Sequence, residues 1–158
     1  MRVGIGFDVH AFTKDRPLIL GGIQIPSKVG GLEGHSDADV LTHSLIDALL
    51  GALCLGTIGS FFPDTDPQYK DISSLVLLKK VYTIVQEKGF KLGNCDCSLV
   101  MQAPKLLPFI DQIQCSLADC MGVDSSLVSC KATTSEKLGF EGRSEGISCH
   151  CVVLLRAL

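Results

Sequence analysis

The N-terminal segment 2–10 is the feature that most constrains the fold. Its odd-numbered positions are apolar, and its even-numbered positions from 4 onward are Gly4, Gly6, Asp8 and His10. This period of two predicts a half-buried β-strand. We expect the apolar residues to form the face that packs on the core. Asp8 and His10 would then share the opposite face, next to two glycines that leave room for another group.

The composition indicates one ordinary globular domain over residues 1–158. Hydrophobic residues make up 46% of the 158 residues, which is enough for a core without disulfides. The net charge of −3, with no block of like charges, disfavours a nucleic-acid partner or a polybasic membrane surface. No apolar run approaches the roughly 20 residues of a membrane helix, and Asp8 and His10 interrupt any signal peptide. We expect a cytoplasmic protein.

The eight cysteines show neither a CxxC pair nor a zinc-finger spacing. Cys95 with Cys97, and Cys149 with Cys151, form two CxC pairs in strand-like stretches. Residues two apart on a strand face the same way, so each pair is expected to fill one side of a sheet. Buried, reduced thiols are favoured over a secreted disulfide framework.

Periodicity and turn residues predict the remaining elements. Ser36 and Asp39 have the spacing of a capping box before a first helix, and Ser73 or Ser74 can cap a second. The order of elements predicts an α/β (α+β) sandwich, in which helices cover a single mixed sheet with ferredoxin-like βαβ elements. The expected strands are 2–10, 18–25, 90–101, 127–133 and 147–155, and the expected helices end near 55, 88 and 121, with a loop over 137–146.

Asp8 and His10 become a candidate metal site if a third ligand joins them. His43 lies inside the first predicted helix, and His35 lies in the loop before it. A tetrahedral zinc held by three such ligands keeps its fourth position open, as in catalytic sites. The spacing alone is also compatible with an Asp8–His10 pair and an ordinary helix histidine at 43. Asp47, four residues after His43, could orient that ring or be its structural partner.

Five motifs follow one another along the chain: GFDVHAF, HSDADVLTHSLIDALLGA, FPDTDP, QAPKL and KATTSEKLGFEGRSEGI. From residue 2 to about residue 155 they resemble the 2-C-methyl-D-erythritol 2,4-cyclodiphosphate synthase family. The resemblance implies a lyase of the non-mevalonate (MEP) isoprenoid pathway. Its expected reaction converts 4-diphosphocytidyl-2-C-methyl-D-erythritol 2-phosphate to 2-C-methyl-D-erythritol 2,4-cyclodiphosphate and CMP.

The same resemblance implies the assembly and the location of the protein. Members of the family form a homotrimer with an active site at each subunit interface. The expected location is the bacterial cytoplasm, or the plastid stroma if a transit peptide has been removed.

The resemblance also implies metal ions and catalytic side chains. Zinc, or another divalent cation, would be held by Asp8, His10 and His43. A Mg²⁺ or Mn²⁺ ion on the substrate diphosphate would be held with help from Glu136. The family's transition-state stabilisers match two further residues, which are His35 and Thr134.

Substrate contacts are implied along most of the motifs. Asp64 or Asp66 would bind methylerythritol hydroxyls, backbone groups of 101–107 would read the cytosine, and Lys105 could reach a phosphate. Phe140 and Arg143 match positions near the substrate and the trimer axis. The full expected set is Asp8, Val9, His10, His35, Ser36, Thr57, Ile58, Gly59, Phe62, Pro63, Asp64, Thr65, Asp66, Met101, Gln102, Ala103, Pro104, Lys105, Leu106, Leu107, Thr133, Thr134, Ser135, Glu136, Phe140 and Arg143.

Two positions depart from the pattern of the family. Thr57 stands before Ile58 and Gly59 where the family usually has an Asp that accepts hydrogen bonds from the cytidine ribose. His150 stands where an acidic or small residue is more usual. Arg143 with Glu145 could also be a plain surface ion pair.

Two other classes of protein remain compatible with the motifs. A zinc-dependent phosphoesterase could use the same three metal ligands to activate water, although it would not need the cytosine-pocket stretch MQAPKLL. A trimeric scaffold or binding module with a structural metal would need a fourth protein ligand, and Asp39 or Asp47 would have to supply it.

Overall fold

The computed structural model describes residues 1–158. Its elements are β1 (Arg2–Thr13), β2 (Leu18–Leu20), β3 (Ile23–Ile25), β4 (Gly31–Leu32), α1 (Val40–Ala52), α2 (Ile58–Phe61), α3 (Ser74–Glu87), β5 (Phe90–Val100), α4 (Ile110–Met121), β6 (Val128–Thr133), α5 (Gly139–Gly142) and β7 (Gly146–Ala157). The main feature is a five-stranded mixed sheet of order β4-β1-β7-β5-β6. Neighbouring strands run antiparallel except for the parallel pair β5 and β6. The predicted mixed sheet covered by helices is confirmed.

Helix α1 packs directly on strand β1, and two glycines make this close approach possible. A Cβ atom built on Gly4 would lie 2.0 Å from the Ala48 carbonyl oxygen, and one built on Gly6 would lie 1.9 Å from the Ser44 carbonyl oxygen. No side chain larger than hydrogen fits at either position. The face of β1 that carries Gly4, Gly6 and Asp8 is therefore the face covered by the helices.

The sheet face that the apolar residues of β1 occupy is open in the single chain. Val3, Ile5, Phe7 and Val9 are 45–69% exposed. The prediction that they pack on the core was wrong, because the glycine face rather than the apolar face receives α1. The aromatic ring of Phe7 packs against His150 of the neighbouring strand β7, with 4.8 Å between ring centroids.

The observed helix caps agree with the predictions only in part. Asp39, not Ser36, is the N-cap of α1, and its side chain accepts a hydrogen bond from Thr42 N. Ser73 occupies the N-cap position of α3 without a side-chain cap hydrogen bond. The predicted end of α4 is confirmed, since Gly122 adopts a left-handed conformation with φ of 66°.

Three other predictions can be compared with the observed elements. The expected strand over 18–25 is a short hairpin of β2 and β3, and the expected loop over 137–146 contains α5. The four cysteines of the two CxC motifs, in β5 and β7, all point to the buried side of the sheet, as predicted. None of the helices is both long and apolar enough to span a membrane.

Replacing Gly6 by alanine tests the contact between α1 and β1. The new methyl group overlaps the α1 backbone, so Gly6→Ala is expected to lower the free energy of unfolding by at least about 1–3 kcal/mol. Denaturant unfolding measures this change. Gly51→Ala is the matched control, because its Cβ would meet only one atom, at 3.5 Å, and alanine favours the helix. Equal stability of the two variants would contradict the contact.

Candidate active site

Strand β1 and helix α1 bring three potential metal ligands together. The Oδ2 atom of Asp8 lies 3.0 Å from His10 Nε2 and 3.2 Å from His43 Nδ1. The two ring nitrogens lie 3.2 Å from each other. These atoms form a nearly equilateral triangle, referred to below as the metal corner. No fourth His, Cys, Asp or Glu joins this group, so Asp39 and Asp47 do not complete a closed site.

The metal corner fits a divalent cation such as zinc in both chemistry and size. Two imidazole nitrogens and one carboxylate oxygen are ordinary zinc donors, and a tetrahedral zinc spaces its ligand atoms about 3.3 Å apart. The Nδ1 atom of His10 lies 2.6 Å from the Glu33 carbonyl oxygen. A proton on Nδ1 donates to this carbonyl, which leaves the lone pair of His10 Nε2 directed at the corner.

The charges in the metal corner stabilise one another. Burial raises the pKa of Asp8, but hydrogen bonds and charge interactions with His10 and His43, when their rings are protonated, outweigh it and lower the pKa to about 2. Burial lowers the pKa of His10, but the hydrogen bond and charge of Asp8 outweigh it and the pKa is raised. The Asp8 carboxylate is therefore held ionised, which is the form that binds a cation.

Asp47 does not orient His43. Its Oδ1 atom accepts a hydrogen bond of 2.6 Å from the backbone N–H of Ile58, at the start of α2. Burial raises the pKa of Asp47, and the hydrogen bond from Ile58 lowers it in part. The Asp47 carboxylate thus links α1 to the first residues of α2, Ile58 and Gly59. Outside the metal corner, the polar partners of His43 are Ser36 and Ser74.

The metal corner forms one wall of a cavity of about 450 Å³, referred to below as the metal cavity. Most of the residues predicted from the first three motifs line it. Of these, the ring of His35 also contacts the carbonyl oxygen of Asp66, at 3.2 Å from Nε2. The residues that line the cavity are Asp8, His10, Gly34, His35, Ser36, His43, Ile58, Gly59, Phe62, Pro63, Asp64, Tyr69 and Leu77.

A second cavity of about 350 Å³ lies at the β6 edge of the sheet, and we refer to it as the edge cavity. It shares no lining residue with the metal cavity. The Ala103–Pro104 peptide bond on its rim is cis. The residues that line it are Met101, Gln102, Pro104, Lys105, Leu106, Leu107, Ile110, Cys130, Lys131, Ala132, Thr133 and Thr134.

The remaining predicted residues lie outside both cavities. Val9 is on the open sheet face, and Thr57 is exposed at the start of α2. Glu136 contacts Thr134, whose Oγ1 donates to Glu136 Oε1 at 2.8 Å. The exposed side chain of Arg143 donates to Glu145, as expected for a surface ion pair. The others that line neither cavity are Thr65, Asp66, Ala103, Ser135 and Phe140.

Sequence reasoning missed several residues that line the cavities. Lys131 lies two residues before Thr133 on β6, so the period of two could have placed both on one face. Tyr69 and Leu77 come from segments with no motif of their own, and only the tertiary fold brings them to the metal cavity.

The fold and the site define an α+β protein with a candidate three-ligand metal centre in the wall of a cavity. The YgbB family model matches residues 1–156, and the chain belongs to this family. Among curated relatives, the 2-C-methyl-D-erythritol 2,4-cyclodiphosphate synthase of Desulfitobacterium hafniense is 57% identical over 155 residues, which cover 98% of each chain. The synthase of the same name from Haemophilus influenzae is 53% identical with the same coverage.

Solved structures agree with the family in fold. The CDP complex of Plasmodium falciparum IspF has a TM-score of 0.85 at 31% identity, covering 99% of this chain and 96% of that one. A CDP-bound 2C-methyl-D-erythritol-2,4-cyclodiphosphate synthase has a TM-score of 0.89 at 38% identity, covering 98% and 100%. The bifunctional IspDF of Campylobacter jejuni reaches 0.95 at 47% identity, and the match covers 99% of this chain but only 42% of the bifunctional one.

Proposed function

We propose that this chain is a single catalytic domain that converts 4-diphosphocytidyl-2-C-methyl-D-erythritol 2-phosphate to 2-C-methyl-D-erythritol 2,4-cyclodiphosphate and CMP. The observation that carries the proposal is the metal corner of Asp8, His10 and His43 in the wall of the metal cavity. The names of the close relatives support the same reaction. Eight free thiols support action in a reducing cytoplasm.

The reaction joins two anionic groups of one substrate molecule. An oxygen of the 2-phosphate attacks the β-phosphorus and forms a new P–O bond. The bond from the β-phosphorus to the bridging oxygen breaks, and CMP leaves with the electron pair. Such a transfer needs alignment and charge neutralisation more than covalent help from the protein.

Two cations would supply most of the neutralising charge. Zinc would be held by the metal corner, and Mg²⁺ or Mn²⁺ would be held by the substrate diphosphate with Glu136. When bound, these ions would act as Lewis acids toward phosphate oxygens. One carboxylate suffices for Mg²⁺, which keeps phosphate and water ligands.

Polar side chains of the chain would orient the phosphates. His35 lines the metal cavity and can donate a ring N–H to the attacking phosphate. Thr134 lines the edge cavity, and its hydroxyl donates to Glu136. Thr134, which would contact a phosphoryl oxygen, therefore lies next to Glu136, which would help to hold the second cation. Ser36 and Asp64 would contact the methylerythritol part of the substrate.

The edge cavity would hold the cytosine. Its lining combines apolar side chains, such as Met101 and Leu106, with the backbone of the same stretch, which can read the edge of a base. Lys105 and Thr133 would contact the phosphates beside it. The relatives solved with CDP support a cytidine nucleotide as ligand.

A homotrimer with interfacial active sites would unite the two cavities. One substrate molecule has to reach both the metal corner and the cytosine pocket, yet in one chain no residue lines both cavities. The open face of the sheet exposes Val3, Ile5, Phe7, Val9 and Val152. An apolar face of this kind is typical of a subunit interface.

Phosphorus NMR of the purified protein with substrate, Zn²⁺ and Mg²⁺ tests the reaction. Two coupled phosphorus signals of a cyclic diphosphate, together with release of CMP, are the expected result. Release of CMP with only linear phosphates would show that water is the nucleophile and would favour the phosphoesterase. No turnover by folded, zinc-loaded protein would favour a binding module.

Replacing Val152 by lysine tests the trimer. Three charges brought to an apolar interface are costly to desolvate, so Val152→Lys is expected to shift the protein to monomers. Sedimentation velocity or light scattering measures the mass. Val76→Lys on α3 is the matched control, because Val76 and Val152 are both 45% exposed but only Val152 lies on the open sheet face. A trimeric Val152→Lys protein would contradict the proposed interface.

Restoring the usual acidic residue at position 57 tests the ribose contact. A hydrogen bond to a charged acceptor is about 1 kcal/mol stronger than one to a hydroxyl, so Thr57→Asp is expected to lower KM about fivefold at similar kcat. Steady-state kinetics measure both parameters. Thr57→Asn is the control, since Asn caps α2 as well as Asp does but carries no charge. An unchanged KM would count against a ribose contact at this position.

A further inference from the structure

The second ring nitrogen of His43 contacts Ser74, a residue that lies outside the five motifs. While Nδ1 belongs to the metal corner, Nε2 lies 2.8 Å from the hydroxyl oxygen of Ser74, the first residue of α3. The hydroxyl oxygen of Ser36 lies farther away, at 3.1 Å. Ser74 is fully buried, so water does not compete for this contact.

Asp37 determines the direction of the hydrogen bond between Ser74 and His43. One carboxylate oxygen of Asp37 accepts from Ser74 N at 2.9 Å, and the other accepts from the Ser74 hydroxyl at 2.5 Å. A carboxylate only accepts hydrogen bonds, and a serine hydroxyl has one proton to donate. Because that proton goes to Asp37, the Ser74 oxygen has to accept from His43, and the proton of the ring lies on Nε2.

We propose that Asp37 and Ser74 form a relay that keeps the His43 proton on Nε2, so that the lone pair of Nδ1 is available to a divalent cation. The proposal rests on the metal-binding function proposed above for the corner. Asp37 and Ser74 are positioning residues in this scheme, since they act through His43 and contact neither the metal nor the substrate.

The relay is needed because Asp8 favours a proton on the other ring nitrogen of His43, Nδ1. The Asp8 carboxylate lies 3.2 Å from His43 Nδ1 and would accept a proton placed there. A proton on Nδ1 blocks metal binding by that nitrogen. The negative charge of Asp37, transmitted through the Ser74 hydroxyl, opposes this effect from the other side of the ring. His10 needs no such relay, because the Glu33 carbonyl accepts its proton directly.

The substitution Asp37→Asn reverses the relay while keeping the backbone contact. The amide oxygen is expected to face the N–H of Ser74, which lies 2.9 Å from its acceptor, so the amide nitrogen faces the Ser74 hydroxyl. This orientation gives up only the longer contact, of 3.3 Å, between the Asp39 N–H and the other carboxylate oxygen. The hydroxyl then accepts from the amide and donates to His43 Nε2, which moves the ring proton to Nδ1. Because the helix start keeps its acceptor, the variant is expected to fold.

Two measurements on Asp37→Asn test the relay. In metal-free protein labelled with ¹⁵N-histidine, nitrogen chemical shifts show which ring nitrogen carries the proton; the four histidines keep the spectrum simple. The wild type is expected to have the His43 proton on Nε2, and Asp37→Asn to have it on Nδ1. Competition with a chromophoric chelator is expected to show Zn²⁺ affinity about 10- to 100-fold lower in the variant.

Serine variants separate the relay from a purely structural effect. Ser74→Ala removes the hydroxyl and is expected to weaken Zn²⁺ binding about tenfold. Ser73→Ala is the matched control at the adjacent residue, which makes no side-chain cap hydrogen bond, and it is expected to leave Zn²⁺ affinity unchanged. Circular dichroism and thermal unfolding verify that each variant is folded.

The relay is overturned if the wild-type proton lies on Nδ1, or if folded Asp37→Asn keeps either the wild-type proton position or the wild-type Zn²⁺ affinity. An equal loss of affinity in Ser73→Ala and Ser74→Ala would also overturn it. A wild-type protein that binds no Zn²⁺ would instead contradict the proposed metal site. In that case the nitrogen spectrum of metal-free protein still decides the position of the proton.

Discussion

The contact between helix α1 and strand β1 is the constraint on which the site depends. At Gly6 the helix backbone comes so close that a single methyl group would overlap the Ser44 carbonyl. His43 precedes Ser44 on the helix, and Asp8 follows Gly6 by two residues on the same face of the strand. The same approach that excludes a side chain at Gly6 therefore brings the ring of His43 within 3.2 Å of Asp8. The metal corner therefore depends on the glycines of β1, although they are not among its ligands.

The sequence pattern predicted the strand and the shared face of Asp8 and His10, but it placed the core on the wrong side. Apolar alternation shows that one face avoids water without showing what covers it. In a single chain the covered face is the one with Gly4 and Gly6, because a helix backbone fills the space that side chains would otherwise occupy. The face with Ile5 and Phe7 stays exposed, and only the proposed trimer would bury it. A sheet with two covered faces has no polar side by which periodicity could identify the core.

Parts of the candidate site differ in how far the sequence could predict them. Residues 101–107 are contiguous in the sequence, so a single motif contains most of the residues that form one wall of the edge cavity. The metal corner combines a strand with a helix 33 residues away, and it was recognised only because both segments carry motifs. Asp47 shows the limit of spacing rules. It lies one turn after His43, yet its carboxylate binds the backbone of Ile58 rather than the ring.

The support of His43 lay beyond sequence reasoning for a physical reason. Asp37 and Ser74 are 37 residues apart and meet only when the start of α3 packs beside the loop before α1. Serine before an apolar helix is expected as a cap, and nothing in its spacing indicates a histidine as its partner. The Asp37 carboxylate accepts two hydrogen bonds from Ser74, and this sets the direction of the bond between Ser74 and His43. That direction determines which ring nitrogen of His43 is available to a metal. A set of candidate metal ligands can thus be inferred from motifs. The positions of the protons on those ligands depend on neighbouring groups that bind no metal, and only the three-dimensional structure shows which groups these are.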